Sequence, residues 1–233
     1  MSNKLIISIL ILTIIYTVVN SLTVPEQNAV VDCINKYRSQ LANGKTKNKN
    51  GGNFPSGKDI LEVSYSKDLE KSAQRWANKC IFDHNGTDLY SGGKFYGENL
   101  YLDGDFEHKN IKEAQLMIDA CNAWWGESTT DGVPSSWINN FLPTDNKEND
   151  EKFEAVGHWT QMAWAKTYQI GCALKVCHKP DCNGNLIDCR YYPGGNGMGS
   201  PIYQQGKPAS GCGKAGPSTK YSGLCKPDPN QNN

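Results

Sequence analysis

The chain has 233 residues, 38% of them hydrophobic and 21% charged, with 24 basic side chains against 24 acidic ones and nine cysteines. That balance excludes the electrostatic footprint of a protein held to nucleic acid, or to an anionic membrane, by bulk charge. The length suffices to bury a real core in one domain, so disulfides add to the interior rather than replace it.

The chain opens with an expected secretory signal peptide over residues 1–21. Lys4 supplies a basic start, Leu5 to Val19 is almost wholly apolar, and Asn20-Ser21 is small and polar. An apolar run of about 15 residues falls short of the roughly 20 that cross a bilayer, so no transmembrane anchor is expected. Cleavage after Ser21, with Val19 at the third position back, starts the mature chain near Leu22. In an exported chain Cys33, Cys80, Cys121, Cys172, Cys177, Cys182, Cys189, Cys212 and Cys225 read as a framework of up to four bridges. The ninth thiol is either buried or links two chains, which leaves a monomer and a disulfide-linked dimer both open.

Thr23 and Glu26, with Pro25 between them, give a capping-box start to a helix on which Val30, Ile34, Tyr37 and Leu41 share one face. Asn43 to Gly57 is locally basic and rich in Gly and Asn; it reads as a solvated loop, with an anionic glycan or a lipid headgroup as the alternative contact. A second helix starts at the Ser66 cap and carries Leu69, Ala73, Trp76, Ala77 and Cys80 at three- and four-residue steps. A third spans about Asn110 to Trp125, its stripe of Ile111, Ala114, Met117, Ile118, Cys121, Trp124 and Trp125 facing the core.

The period then changes. Ile170, Cys172, Leu174 and Val176 alternate as a half-buried strand, and Leu186 to Tyr192 reads as its partner. Cys177, Cys182 and Cys189 lie in or beside this hairpin, so at least one bridge is expected to close it, with the pairing open. Past Tyr192 Gly, Pro, Ser and Asn dominate, and residues 199–233 are expected to form an irregular tail stapled by Cys212 and Cys225. Helices segregated from a late antiparallel hairpin point to an α+β layered fold.

Four segments set histidine or glutamate in tight local context: Asp83-His84-Asn85, Gly97-Glu98-Asn99-Leu100, Trp124-Trp125-Gly126-Glu127 and Gly157-His158-Trp159-Thr160-Gln161-Met162-Ala163-Trp164. With Asp188-Cys189-Arg190-Tyr191-Tyr192-Pro193-Gly194-Gly195-Asn196, these motifs resemble, in order, the signatures of the CAP superfamily (cysteine-rich secretory, antigen 5 and pathogenesis-related proteins; SCP domain). Within it the chain is most similar to the activation-associated and venom allergen-like proteins of nematodes.

The resemblance implies a three-layer α-β-α sandwich over residues 22–198, with extra short strands near Leu61 to Tyr65 and Gly97 to Leu102. Carried over residue by residue, the family's cavity tetrad falls on His84, Glu98, Glu127 and His158. Two imidazoles and two carboxylates suit zinc or another divalent cation, with water completing the shell. The alternatives are that Glu98 and Glu127 hold the histidines by hydrogen bonds, or that Glu98-Asn99 is a buried pair tying helices to the sheet. Alone, His84 and Glu127 would read as surface side chains. His108 and His178 lie outside the motifs and take no role.

One departure stands out: the arginine that relatives often carry after the His-Asn pair is absent. Instead Asn85-Gly86-Thr87, the chain's only sequon, is an expected glycosylation site beside His84. A glycan there would restrict access to the cavity, or show that Asn85 points away from it.

In function the resemblance implies a secreted, non-enzymatic protein with no catalytic residues. It would bind sterols or other small lipids, act as an immunomodulatory effector on a host receptor or immune cell, or do both. The enzyme alternative is a metal-dependent hydrolase, although no HExxH pairing is present. Channel blocking needs many cysteines after the last signature, and only two follow.

Overall fold

Capping decides where the first two helices begin. In the structure, a computed structural model that describes residues 21–85, 89–104, 112–143 and 147–228, the Thr23 N–H donates to Glu26 Oε2 at 2.6 Å and helix α1 runs over Val24–Ala42. Ser66 Oγ accepts the Leu69 N–H at 3.4 Å at the start of α2, Lys67–Ala77. The expected signal peptide up to Asn20, the first residues of the expected third helix, His108, Gly86-Thr87 of the sequon and the last five residues of the tail lie outside the described residues.

Helix α3, Glu113–Thr130, runs past the expected end at Trp125. Gly126 sits within it where a side chain would meet nothing, so the helix passes through and carries Glu127 on its last turn. Helix α4, Lys147–Ala163, contains His158 and was not anticipated. Its charged first turns and Gly157 hide a buried stripe of Val156, Trp159, Met162 and Ala163 at helical spacing.

The sheet has the order β1-β5-β6-β4: Ser64–Tyr65 (β1), Gly97–Asp103 (β4), Gln169–Lys179 (β5) and Cys182–Tyr192 (β6). Strand β1 is parallel to β5 and the other pairs are antiparallel. Tyr90–Ser91 (β2) and Lys94–Phe95 (β3) form a separate small hairpin. Both strands anticipated from the resemblance are present, β1 shorter than expected.

The pleat divides the side chains between two layers. Ile170, Cys172, Ile187, Cys189 and Tyr191 join the main core with α1, α3 and α4, whereas Ala173, Cys177 and Leu186 pack on Ala73 and Ala77 of α2. This is the three-layer α-β-α arrangement. With helices on both faces, the first half of β5 is buried on both sides, so alternation describes it only partly.

Bridges join Cys33–Cys121, Cys80–Cys177, Cys172–Cys189 and Cys212–Cys225. Cys172 and Cys189 stand directly opposite in the ladder, so this bridge closes the hairpin. Cys182 is the free thiol and is buried, so in this fold it has no route to a second chain; the disulfide-linked dimer loses its candidate.

The expectation for the basic loop needs correction. The Asn43 to Gly57 loop is not merely solvated: Thr46 and Phe54 are buried, Phe54 stacks on Trp159, and Asn48 exchanges hydrogen bonds with the Val133 backbone. The tail is largely irregular but not peripheral, for Ile202, Tyr203 and Leu224 are buried in the core and Cys225 bridges to Leu61. Arg38, fully buried on α1, fastens the segment before β1 to the end of α4 and the turn after it by donating to the carbonyls of Leu61, Met162, Trp164, Ala165 and Thr167.

Candidate functional site

Four elements meet at the start of β4, each delivering one member of the tetrad. His84 lies on the loop after α2, which is held at one end by the Cys80–Cys177 bridge and along its length by the Trp76 Nε1–H bond to the Asp83 carbonyl, 2.9 Å. Glu98 is the second residue of β4, Glu127 the last-turn carboxylate of α3, and His158 sits in α4. Gly97 gives the Gln161 amide its place: a Cβ there would lie 1.8 Å from Gln161 Oε1, so the amide of α4 rests directly on the β4 backbone.

The four side chains form two matched pairs. His84 Nδ1 lies 2.7 Å from Glu98 Oε2, and His158 Nδ1 lies 2.6 Å from Glu127 Oε1. A carboxylate only accepts, so in both rings Nδ1 carries the proton and Nε2 keeps its lone pair while the ring is neutral. Each carboxylate is itself fixed: Glu98 also accepts the Asn85 N–H at 3.1 Å, and Glu127 accepts the Trp159 N–H at 2.8 Å. Glu98 Oε1 meets Arg190 Nη2 at 2.7 Å, and the same guanidinium pairs with Asp188, Nε to Oδ1 at 3.1 Å.

Arg190 thus stands between two buried carboxylates. Burial above all, and the nearby charge of Glu98, push the Asp188 carboxyl up to about 8 against the pull of Arg190. The hydrogen bond to Glu98 raises the His84 pKa, outweighing its partial desolvation.

The two rings are 6.5 Å apart between centroids and line one cavity of about 310 Å³. Its polar wall is His84, Glu98, Glu154, His158, Gln161 and Asn196; its apolar wall is Leu89, Phe95, Tyr96 and Phe153. Glu127 stands behind His158 and is not part of the lining.

Among the described residues, no three or more His, Cys, Asp or Glu side chains are grouped to hold a metal. Two imidazoles, each with Nδ1 held by a carboxylate, offer two Nε2 donors of the kind such an ion takes. With Zn–N near 2.0–2.1 Å, two tetrahedral imidazole ligands place their ring centroids ~5 Å apart, so the pair must close by roughly 1.5 Å. His84, with 57% of its side chain exposed, has room to move.

The structure brings together the four residues named from the sequence: the imidazoles and Glu98 line the cavity, Glu127 stands behind, and each carboxylate holds one imidazole. Asn99 is the side chain that ties helix to sheet, donating to the His158 carbonyl and Tyr191 Oη, both at 3.2 Å. Asp188, Arg190, Gln161 and Asn196 lay within the quoted motifs without a role; two-residue alternation on β6 was the signal that puts Asp188 and Arg190 on one face. His178 is exposed near the far end of the hairpin. Asn85 is only 4% exposed and its Nδ2 is enclosed, so a glycan on it requires another arrangement of this loop.

The chain was compared with known proteins. A family model described as "Cysteine-rich secretory protein family" matches residues 31–184. The "Ancylostoma secreted protein" of Ancylostoma caninum is 35% identical over 82% of this chain, which spans 42% of that protein's length. "Scoloptoxin SSD976" of Scolopendra dehaani is 34% identical over 84% of the chain and 81% of its own length. Among solved structures, NaASP2 with Zn2+ superposes with a TM-score of 0.73 at 31% identity, covering 89% of this chain and 98% of that one. BmVAL-1 does so with a TM-score of 0.74 at 32% identity, covering 89% and 96%.

Proposed function

This chain belongs to the cysteine-rich secretory protein (CAP) family, and from that premise we propose that it is a secreted, non-catalytic binding protein whose cavity takes a divalent cation between His84 and His158. The carrying observation is the pair of imidazoles, each with Nδ1 held by its own carboxylate and Nε2 left for a ligand. The crystal structure of the relative NaASP2 with Zn2+ supports zinc as the ion. When bound, the cation supplies a Lewis-acidic contact for a polar ligand head. Leu89, Phe95, Tyr96 and Phe153 opposite supply the apolar contact suited to a small lipid, sterols included.

Export is supported by four disulfides, which belong to oxidising compartments, and by relatives described as a secreted protein and a venom allergen. No described helix is long and apolar enough to cross a membrane. Likeness to scoloptoxins supports a compatible role as an effector acting on another animal's receptors or immune cells.

The hydrolase reading gains no support from this arrangement. Glu98 is held by His84, Asn85 and Arg190, and Glu127 by His158 and Trp159, so both carboxylates are engaged in orienting other groups.

Calorimetric titration of the oxidised protein with zinc tests the proposal. The parent is expected to bind about one equivalent, and a His84→Ala, His158→Ala variant is expected to lose that binding; undiminished binding by the variant would refute the site. Labelled cholesterol, competed with unlabelled sterol and fatty acid, tests the ligand class, and absence of saturable binding would remove small lipids from it.

A further inference from the structure

A second cavity, of about 290 Å³, opens where the tail crosses the turn after α4, and it shares no lining residue with the tetrad cavity. Three lysines line it: Lys166 from that turn, and Lys214 and Lys226 from beside the two ends of the Cys212–Cys225 bridge. Asp59 and Asp228 stand in the same wall. Asp59 is buried and already satisfied: Lys166 Nζ lies 3.2 Å from its Oδ2, and its Oδ1 accepts the Gln204 N–H at 2.9 Å. Lys214 and Lys226 have no carboxylate within ion-pair distance among the described residues. With the Lys166–Asp59 pair set aside, two ammoniums therefore stand against the one carboxylate of Asp228.

The main chain adds donors to this wall. Cys212 is right-handed helical, with φ −70° and ψ −6°, and Gly213 follows in the left-handed region at φ +59°, which its missing side chain allows. Such an alternation of hand turns successive N–H groups into one concavity, an arrangement that holds anions. The N–H groups of Cys212, Gly213 and Lys214 meet no acceptor among the described residues. The bridge keeps this turn and Lys226 side by side, because the Cys225 N–H donates to the Ile60 carbonyl and its own carbonyl accepts the Glu62 N–H, both at 2.8 Å. The chain as a whole carries no net charge, yet from Gly199 onward Lys207, Lys214, Lys220 and Lys226 are balanced only by Asp228. The positive character here is local, not a share of any bulk charge.

We propose that this cavity binds a tetrahedral oxyanion, sulfate or phosphate, free or as an ester on a sugar. The ammoniums of Lys214 and Lys226 supply the counter-charge, and the N–H groups of Cys212, Gly213 and Lys214 supply the directional hydrogen bonds. The site is independent of the cation between His84 and His158, so it gives the protein a second point of attachment.

Amide NMR of the oxidised, ¹⁵N-labelled protein tests this, with inorganic sulfate, inorganic phosphate and a sulfated disaccharide titrated in turn while chloride holds the ionic strength constant. Saturating shifts are expected at the Cys212, Gly213 and Lys214 amides. A Lys214→Gln, Lys226→Gln variant, which keeps all three N–H groups, is expected to bind about tenfold more weakly. A Lys36→Gln, Lys71→Gln variant, with the same change of net charge on α1 and α2, is expected to bind as the parent does. Tighter binding of the disaccharide than of the inorganic ions assigns the site to a sugar ester, and equal binding assigns it to the free ion. Shifts that fail to saturate, shifts spread over the lysine-bearing surface, or an equal loss in both variants overturns the proposal.

Discussion

Arg190 can neutralise one carboxylate, and it is placed between two. Glu98 also holds the His84 ring, so the deficit falls on Asp188, which burial raises to about 8. A carboxyl raised in the fold prefers to be protonated there. Its contribution to stability is complete below the unfolded value of about 3.9 and is lost as pH rises through the folded one. His84, raised by its bond to Glu98, has the same sign. Asp188→Asn keeps the shape and removes the titration. Urea unfolding of parent and variant, compared from about pH 5 to pH 8.5, should show the difference moving steadily in favour of Asp188→Asn. A difference independent of pH would mean that Asp188 is ionised throughout. None of this was readable from the segment in which Asp188 and Arg190 occur, because alternation places them on one face without saying what faces them.

Among the elements, the decisive contact is the crossing of α4 over the start of β4. It brings His158 towards Glu98 and His84, and it rests on Gly97 under Gln161, whose Oε1 accepts the Gly195 N–H at 2.7 Å and whose Nε2 donates to Thr167 Oγ1 at 3.2 Å. Gly97→Ala forces that amide aside and is expected to cost about 1–3 kcal/mol in urea unfolding, as overpacking does. Gln161→Ala removes the obstacle together with its own hydrogen bonds. The two substitutions together should therefore cost less than the sum of the singles, and strict additivity would show that Gln161 does not transmit the strain. The helix itself escaped the periodicity reading because its apolar stripe begins only at Phe153, after acidic turns that resemble a loop. By contrast α1 and α2 were legible through their caps, where three or four neighbouring residues carry the whole signal.

At the scale of the molecule, four bridges and a tail folded back into the core make one unit of parts far apart in sequence. Cys33–Cys121 and Cys80–Cys177 close loops of 88 and 97 residues, while Cys182 stays reduced and enclosed. A thiol reagent is expected to find no reactive group in the native protein and one per chain in denaturant. A reactive native thiol, or a dimer that disappears under reduction, would show that Cys182 reaches the surface. The sequence by itself determined the family, the layered α+β class, the first helix starts, the long hairpin and the two histidines and two glutamates that the fold brings together, because caps, pleats and motif segments are encoded among near neighbours. Only the tertiary structure decided which cysteines pair, that the tail belongs to the core, and that Glu98 and Glu127 each take one histidine by Nδ1. Those outcomes depend on contacts between elements remote in sequence, α1 with α3 through Cys33–Cys121, the loop after α2 with β5 through Cys80–Cys177 and α3 with α4 through Glu127–His158, and such separations leave no trace in a local pattern.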